Sequence, residues 1–219
     1  MEKNLKIYII RCLIITNLIG FIKNDYYSIQ LKMKGKGNRK IYNKPTPDKI
    51  YINNNEGTQE QTQELNLDKD NKILLIYNNK VTDCSTMFQG CRAITEIDFL
   101  NFDTSDIKYM NSMFDGCEKL TSINFGNFDT SSLENSEKMF SGCLGLTSLD
   151  LSNFDISKVT YMARMFEGSS SLKFLNLKTF NNNKLSSSES ISNIFNGITN
   201  NLIICYTIGN NTEDIILKK

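Results

Sequence analysis

The sequence predicts an α/β solenoid in which each turn of about 26 residues supplies one short parallel strand and one helix, behind a small N-terminal β cap. Three observations carry that expectation. First, Met87-Phe88-Gln89-Gly90-Cys91 returns as Met113-Phe114-Asp115-Gly116-Cys117, Met139-Phe140-Ser141-Gly142-Cys143 and Met165-Phe166-Glu167-Gly168-Ser169 at steps of 26 residues, then as Ile194-Phe195-Asn196-Gly197-Ile198 after 29. Second, an L-x-x-L-x-L pattern, the strand signature of leucine-rich repeats, occupies residues 94–99, 120–125, 146–151 and 172–177. Third, Val159, Met162, Met165 and Phe166 fall at i, i+3, i+6 and i+7, a helical stripe that Gly168 is placed to end.

In chain order, residues 1–27 read as a hydrophobic leader. Lys3 and Lys6 precede a largely apolar stretch over 7–22, the layout of a secretion signal. Arg11 interrupts that stretch and no small-x-small cleavage site follows, so a membrane anchor and a packed or disordered N-terminus stay open as alternatives. Residues 28–77 are expected as a β-rich cap over the hydrophobic end that a stack of repeats exposes. There Ile29, Leu31 and Met33 alternate with polar residues, Gly35-Lys36-Gly37-Asn38 supplies a turn, and 39–43 resumes the extended pattern, which reads as a hairpin. A second hairpin is expected to join 65–67 to 73–77 across Asp68-Lys69-Asp70-Asn71. Lys32, Lys34, Lys36, Arg39 and Lys40 read as a solvated, aggregation-resistant hairpin edge, with an independent ligand site as the sharper alternative.

Residues 78–206 are expected as a right-handed, leucine-rich-repeat-like solenoid of about five turns. Its strands centre near 97, 123, 149, 175 and 203, and its helices lie near 80–89, 106–115, 132–141, 157–167 and 187–196. Asp103, Asp129 and Asp155 sit where a corner or a helix start needs a side-chain acceptor. Residues 207–219 are left as a C-terminal tail. A single turn buries too little apolar surface to order itself, which is why the phrase repeats.

The strings Met-Phe-x-Gly-Cys, Leu-Thr-Ser-Leu-Asp-Leu-Ser-Asn-Phe-Asp at 146–155 and Asp-Thr-Ser at 103–105 and 129–131 resemble those of BspA-like leucine-rich-repeat surface proteins over about residues 80–198. The resemblance implies a surface-displayed binding or adhesion module without catalytic residues, for which a protein or glycan ligand on host or neighbouring cells is expected from the polar sheet face described below. It names no partner.

The residues themselves narrow the chemistry. The 219 residues include no His, which removes Ser-His and Cys-His nucleophile systems, and like residues in columns do not converge on one reacting atom. No cofactor and no metal are expected. Without a C-x-x-C pair or a His, the cysteines lack a metal-ligand spacing. Cys91, Cys117 and Cys143, with Ser169 in the fourth place, read as buried small residues in a column, and their pairing is not fixed by sequence. Residues 1–50 hold eleven Lys/Arg against three Asp/Glu, whereas 81–180 hold eight against thirteen, so nucleic acid does not suit the repeats. Side chains alternate along a strand, which puts Glu96, Asp98, Ser122, Asn124, Ser148, Asp150, Phe174 and Asn176 on the exposed sheet face as the expected binding surface of a monomer. Membrane association is expected only through the leader. An intracellular interaction scaffold is the alternative, with Arg11 disqualifying the leader as an export signal.

Overall fold

The computed structural model describes residues 27–35, 37–53, 55–56, 64–67, 70–178, 189–198, 201–208 and 211–217. The expected leader lies outside the described residues apart from Tyr27, as do Cys12, Lys36 and the polar stretch 57–63. The strands, in chain order, are β1 (Tyr27–Met33), β2 (Gly37–Lys40), β3 (Lys49–Ile52), β4 (Asn55–Glu56), β5 (Glu64–Leu67), β6 (Asn71–Tyr77), β7 (Ile94–Asn101), β8 (Ser122–Asn124), β9 (Ser148–Asp150), β10 (Phe174–Leu177), β11 (Leu202–Ile208) and β12 (Asn211–Leu217).

Apolar alternation makes β1 and β6 two-faced, and both bury their apolar side. They pair antiparallel with Ile29 opposite Leu75 and Leu31 opposite Ile73. On its other side β1 pairs antiparallel with β7, where Leu31 meets Ile97, and β7 pairs parallel with β8, where Ile97 meets Ile123. The row Ile73, Leu31, Ile97, Ile123 thus runs across the sheet order β4-β3-β6-β1-β7-β8, and a one-residue slip would turn all of it to water.

Neither expected hairpin forms. The partner of β1 is β6 rather than 39–43, while β2 pairs with β5 in a separate two-stranded sheet. Alternation fixes which face of a strand is buried, but the neighbour is decided by total burial. A place between β6 and β7 seats the apolar side of β1 between two matching rows.

In the repeats, alternate backbone amides have different partners. Met87, Gln89 and Cys91 donate to the carbonyls of Cys84, Thr86 and Phe88, three residues back. Between them Cys84, Thr86, Phe88 and Gly90 donate to Tyr109, Asn111, Met113 and Asp115 of the next repeat at 2.8–3.2 Å. The same four-bond pattern links 110–116 to 135–141, 136–142 to 161–167 and 162–168 to 190–196. Inside this ladder the rings of Phe88, Phe114, Phe140, Phe166 and Phe195 stack with centroids 5.3–6.0 Å apart. Met87, Met113, Met139 and Met165 are buried beside them. Gly90, Gly116, Gly142 and Gly168 all have φ between 64° and 72°, a left-handed conformation in which the glycine supplies the turn without strain.

This geometry overturns the strand-plus-helix solenoid. Among the described residues there is no helix, and the segments expected as helices are successive tight turns. An α-helix needs each amide to reach four residues back, yet here every second amide is committed to the neighbouring repeat. Thr86, Ser112, Lys138 and Arg164, immediately before each Met, also carry φ of 53–58°, which no right-handed helix admits. Nor is there one continuous parallel sheet. The strands fall into sheets of six, four and two, antiparallel around β1 and between β11 and β12, and β8 and β9 belong to different sheets. The described residues form an all-β and turn structure. The misleading signal was the spacing: turns closing at i to i+3 bury every third residue, as Ile107, Met110 and Met113 show, and over a short window that resembles a helical stripe.

The corner motif Phe-Asp-Thr-Ser has a role in these turns. Asp103, Asp129 and Asp155 accept the amides of Ser105, Ser131 and Ser157 at 2.8–2.9 Å, closing corners rather than starting helices. Buried Thr104 and Thr130 reach across, their hydroxyls accepting the amides of Asp129 and Asp155 at 2.8 and 2.7 Å. Residues Asn211–Leu217, read from sequence as tail, form β12 antiparallel to β11.

Candidate binding face

The outward row of the strands is where the described polar side chains gather. Glu96 and Asp98 are half-buried on β7, Ser122 and Asn124 are exposed on β8, Ser148 and Asp150 are exposed on β9, and on β10 Phe174 is exposed and Asn176 half-buried. Strand register sets Glu96 beside Ser122 and Asp98 beside Asn124, then Ser148 beside Phe174 and Asp150 beside Asn176. The structure therefore brings these eight residues together as two blocks, separated where β8 and β9 do not pair.

Several of the side chains are held in place. Asn124 donates its amide to Asp98 Oδ1 at 3.1 Å and accepts the Gly126 amide at 3.1 Å. Asp150 accepts the Ser152 amide at 2.8 Å. Burial opposes ionisation of Asp150, but hydrogen bonds from Ser152 and Asn176 outweigh it and hold the carboxyl below its usual range. Asp150 therefore presents a fixed, charged acceptor at neutral pH.

Two adjoining depressions mark the face. One of about 210 Å³ lies between Gln30 and Lys32 of β1 and Glu96, Asp98, Ser122 and Asn124. The next, about 190 Å³, shares Ile123 and Asn124 with it and continues to Asp150, Ser152 and Asn153, over Phe125, Phe128 and Phe154. The break between β8 and β9 explains the second. Ile97, Leu149 and Leu175 are at most 5% exposed, whereas their column mate Ile123 is only partly buried. The result is a polar trough with an apolar floor at the break.

Sequence reasoning missed Gln30 and offered Lys32 only as part of a separate basic hairpin, because nothing local says that β1 lies beside β7. It also missed the uncovering of Ile123 and Phe125, which depends on a strand pair that does not form.

The cysteine column serves the ladder. The Cys117 thiol donates to the Phe88 carbonyl at 3.1 Å and the Cys143 thiol to the Phe114 carbonyl at 3.2 Å, each 29 residues back. Ser169 makes the equivalent bond to Phe140 at 2.6 Å and accepts the Cys143 amide at 3.1 Å. The position calls for a small donor, which is why Ser replaces Cys there. Burial pushes the Cys91 thiol up to about 12 and raises those of Cys84, Cys117 and Cys143 as well, so these thiols are not nucleophiles. Among the described residues no group of three His, Cys, Asp or Glu is placed to hold a metal, and no helix is long and apolar enough to cross a membrane.

Comparison with known proteins returned no match among curated proteins and none among solved structures. Residues 82–203 match the family described as "Mycoplasma protein of unknown function, DUF285". That span takes in the whole Met-Phe-x-Gly-Cys ladder and more than half of the 219 residues, so the chain belongs to the DUF285 family.

Proposed function

We propose that this chain is a non-catalytic binding module, secreted or displayed at a cell surface, that holds a protein or glycan ligand in the trough across β1, β7, β8 and β9. The observation carrying the reading is the trough itself: amide, hydroxyl and carboxylate groups, several fixed by hydrogen bonds, along the outward face of the strands. Such preorganised polar groups lose little freedom on binding a ligand rich in hydroxyls or peptide groups. Acidic Glu96, Asp98 and Asp150 outnumber Lys32, which is itself paired with Glu96, so the face repels nucleic acid. The resemblance of the repeat strings to BspA-like surface proteins supports display and adhesion, with the module acting as a monomer. Any membrane attachment is assigned to residues 1–27.

A second reading, an intracellular interaction scaffold, is favoured by the thiols. Cys117 and Cys143 donate hydrogen bonds that require the reduced form.

The test is to screen the full chain against immobilised glycans and extracellular-matrix proteins, then to repeat every positive with the double variant Asn124→Ala/Asp150→Ala. Loss of binding at unchanged melting temperature supports the trough. A ligand that binds the double variant as well as the wild type refutes it. Fractionation with N-terminal mass spectrometry separates the two locations: a chain recovered outside the cell supports the surface reading, and an intact Met1 in the soluble interior supports the scaffold.

A further inference from the structure

Lys32 of β1 is not edge protection. Strand β1 lies inside the sheet, between β6 and β7, so the reading of Lys32 as a solvated edge does not hold, while Lys34 follows the strand and is exposed. Register instead places Lys32 directly opposite Lys72 of β6 on one side and opposite Glu96 of β7 on the other. Directly opposed residues have Cβ atoms about 4.5–5.5 Å apart, and like charges there destabilise a sheet. Lys32 is answered by its ion pair with Glu96. The side chains of Lys72 and Lys34 make no hydrogen bond or ion pair among the described residues.

These three lysines line an open depression of about 330 Å³ whose wall is held by hydrogen bonds. Asn53, at φ 52°, accepts the Lys72 amide at 3.0 Å and donates to Asn71 at 2.6 Å. The two carboxylates facing the cavity are both engaged, Glu96 by Lys32 and Asp70 by the Gly35 amide at 2.9 Å. With three lysines against two acids, the cavity carries an excess positive charge.

We propose that this cavity binds an oxyanion group, phosphate or sulfate, either as the free ion or carried by a small polar molecule. An anion seated beside Lys72 would offset its like-charge contact with the opposed Lys32, and lysine ammonium groups bind such oxyanions as point charges. The volume sits at the small end of ligand pockets, which suits a phosphorylated or sulfated monosaccharide and not a polymer segment. This site adjoins the trough and shares Lys32 and Glu96 with it, but it takes its charge from Lys34 and Lys72, which the trough does not use, and it stands whether or not the trough reading holds.

The experiment titrates the full chain at low ionic strength with inorganic phosphate, sulfate and glucose 6-phosphate, followed by calorimetry and by melting temperature. Saturable one-to-one binding is expected, weakened about tenfold or more by Lys72→Gln and by Lys34→Gln, as for the loss of one charge-assisted hydrogen bond. Lys108→Gln, which removes a cation paired with Glu134 on the repeats, should bind as the wild type does. Without anion, Lys72→Gln should melt no lower than the wild type, because it relieves the repulsion and shows that the variant is folded. Tighter binding of the ester than of the inorganic ions identifies an organic carrier, and equal binding identifies the free ion. Absence of saturation, unchanged affinity in folded Lys72→Gln and Lys34→Gln, or equal weakening in Lys108→Gln would each overturn the proposal.

Discussion

Gly145 gives the sharpest test of how the repeats are seated. Its equivalents at steps of 26 residues are Ala93, Lys119 and Ser171, so the sequence pattern alone says that any side chain is tolerated there. The structure says otherwise. A Cβ built on Gly145 would stand 2.6 Å from the Leu120 carbonyl oxygen, 3.0 Å from the Lys119 carbonyl carbon and 3.2 Å from the Glu118 oxygen, all backbone of the preceding repeat. Reaching an ordinary contact near 3.5 Å requires movement of about 0.9 Å. That is a large fraction of the slack in a ladder whose rungs repeat at about 4.8 Å. Overpacking of this kind costs about 1–3 kcal/mol, offset by about 0.4–1 kcal/mol from the stiffer unfolded chain. Gly145→Ala should therefore lose about 1–2 kcal/mol, or roughly 2–8 °C in melting temperature for a chain of this size. The assay is urea and thermal unfolding of Gly145→Ala and Gly145→Asn beside Gly142→Ala and Gly142→Asn. At Gly142, with φ 64°, the penalty is conformational, so Asn should be milder than Ala. At Gly145 the penalty is steric, so Asn should be worse than Ala. Gly145→Ala with wild-type stability, or the same Asn/Ala order at both sites, would refute the close approach of the third repeat to the second.

The buried thiols and the corner aspartates make two further predictions. Native protein should leave Cys84, Cys91, Cys117 and Cys143 unmodified by an aromatic disulfide reagent at pH 8, with labelling appearing only as the chain unfolds in denaturant; rapid native-state labelling of these four would contradict their burial. Cys117→Ser should cost under about 1 kcal/mol, since Ser169 already fills that column position with a hydroxyl donor, whereas Cys117→Val should cost more by leaving the thiol's bond to Phe88 unmade. At Asp103, the hydrogen bond from Lys80, with those from Ser105, lowers the carboxyl from 3.8 to about 2. The folded value is the depressed one, so the contribution is complete above pH 4 and is lost as pH falls through about 2. Asp103→Asn, which keeps the acceptor for the Ser105 amide, should be less stable than the wild type at pH 6. That deficit should shrink toward pH 2 and in 1 M salt, and a difference independent of pH would remove the charge from the account.

Much of the repeat body was legible from residues alone. A phrase recurring every 26 residues marks columns, and the buried Met and Phe of those columns, their left-handed glycines and the short strands at 122–124, 148–150 and 174–177 lie on the phrases that announced them. Outward placement of Asp98, Asn124 and Asp150 follows from the two-residue period of a strand.

What sequence by itself determined, then, is which residues are equivalent and which face inward, because both are set by local period and by water. Only the tertiary structure decided what the polar backbone does. Whether Phe88, Phe114 and Phe140 donate their amides within a helix or to the next repeat is not written in side-chain spacing, since buried residues three apart suit either choice. The repeat stack settles it, because each committed amide gains a partner only when a second repeat lies against the first. The same holds for the insertion of β1 between β6 and β7, which sets Lys32 against Lys72, and for the unpaired junction of β8 and β9, which opens the trough over Ile123. Hydrogen-bond partners distant in sequence are chosen by total burial, and no local pattern carries that information.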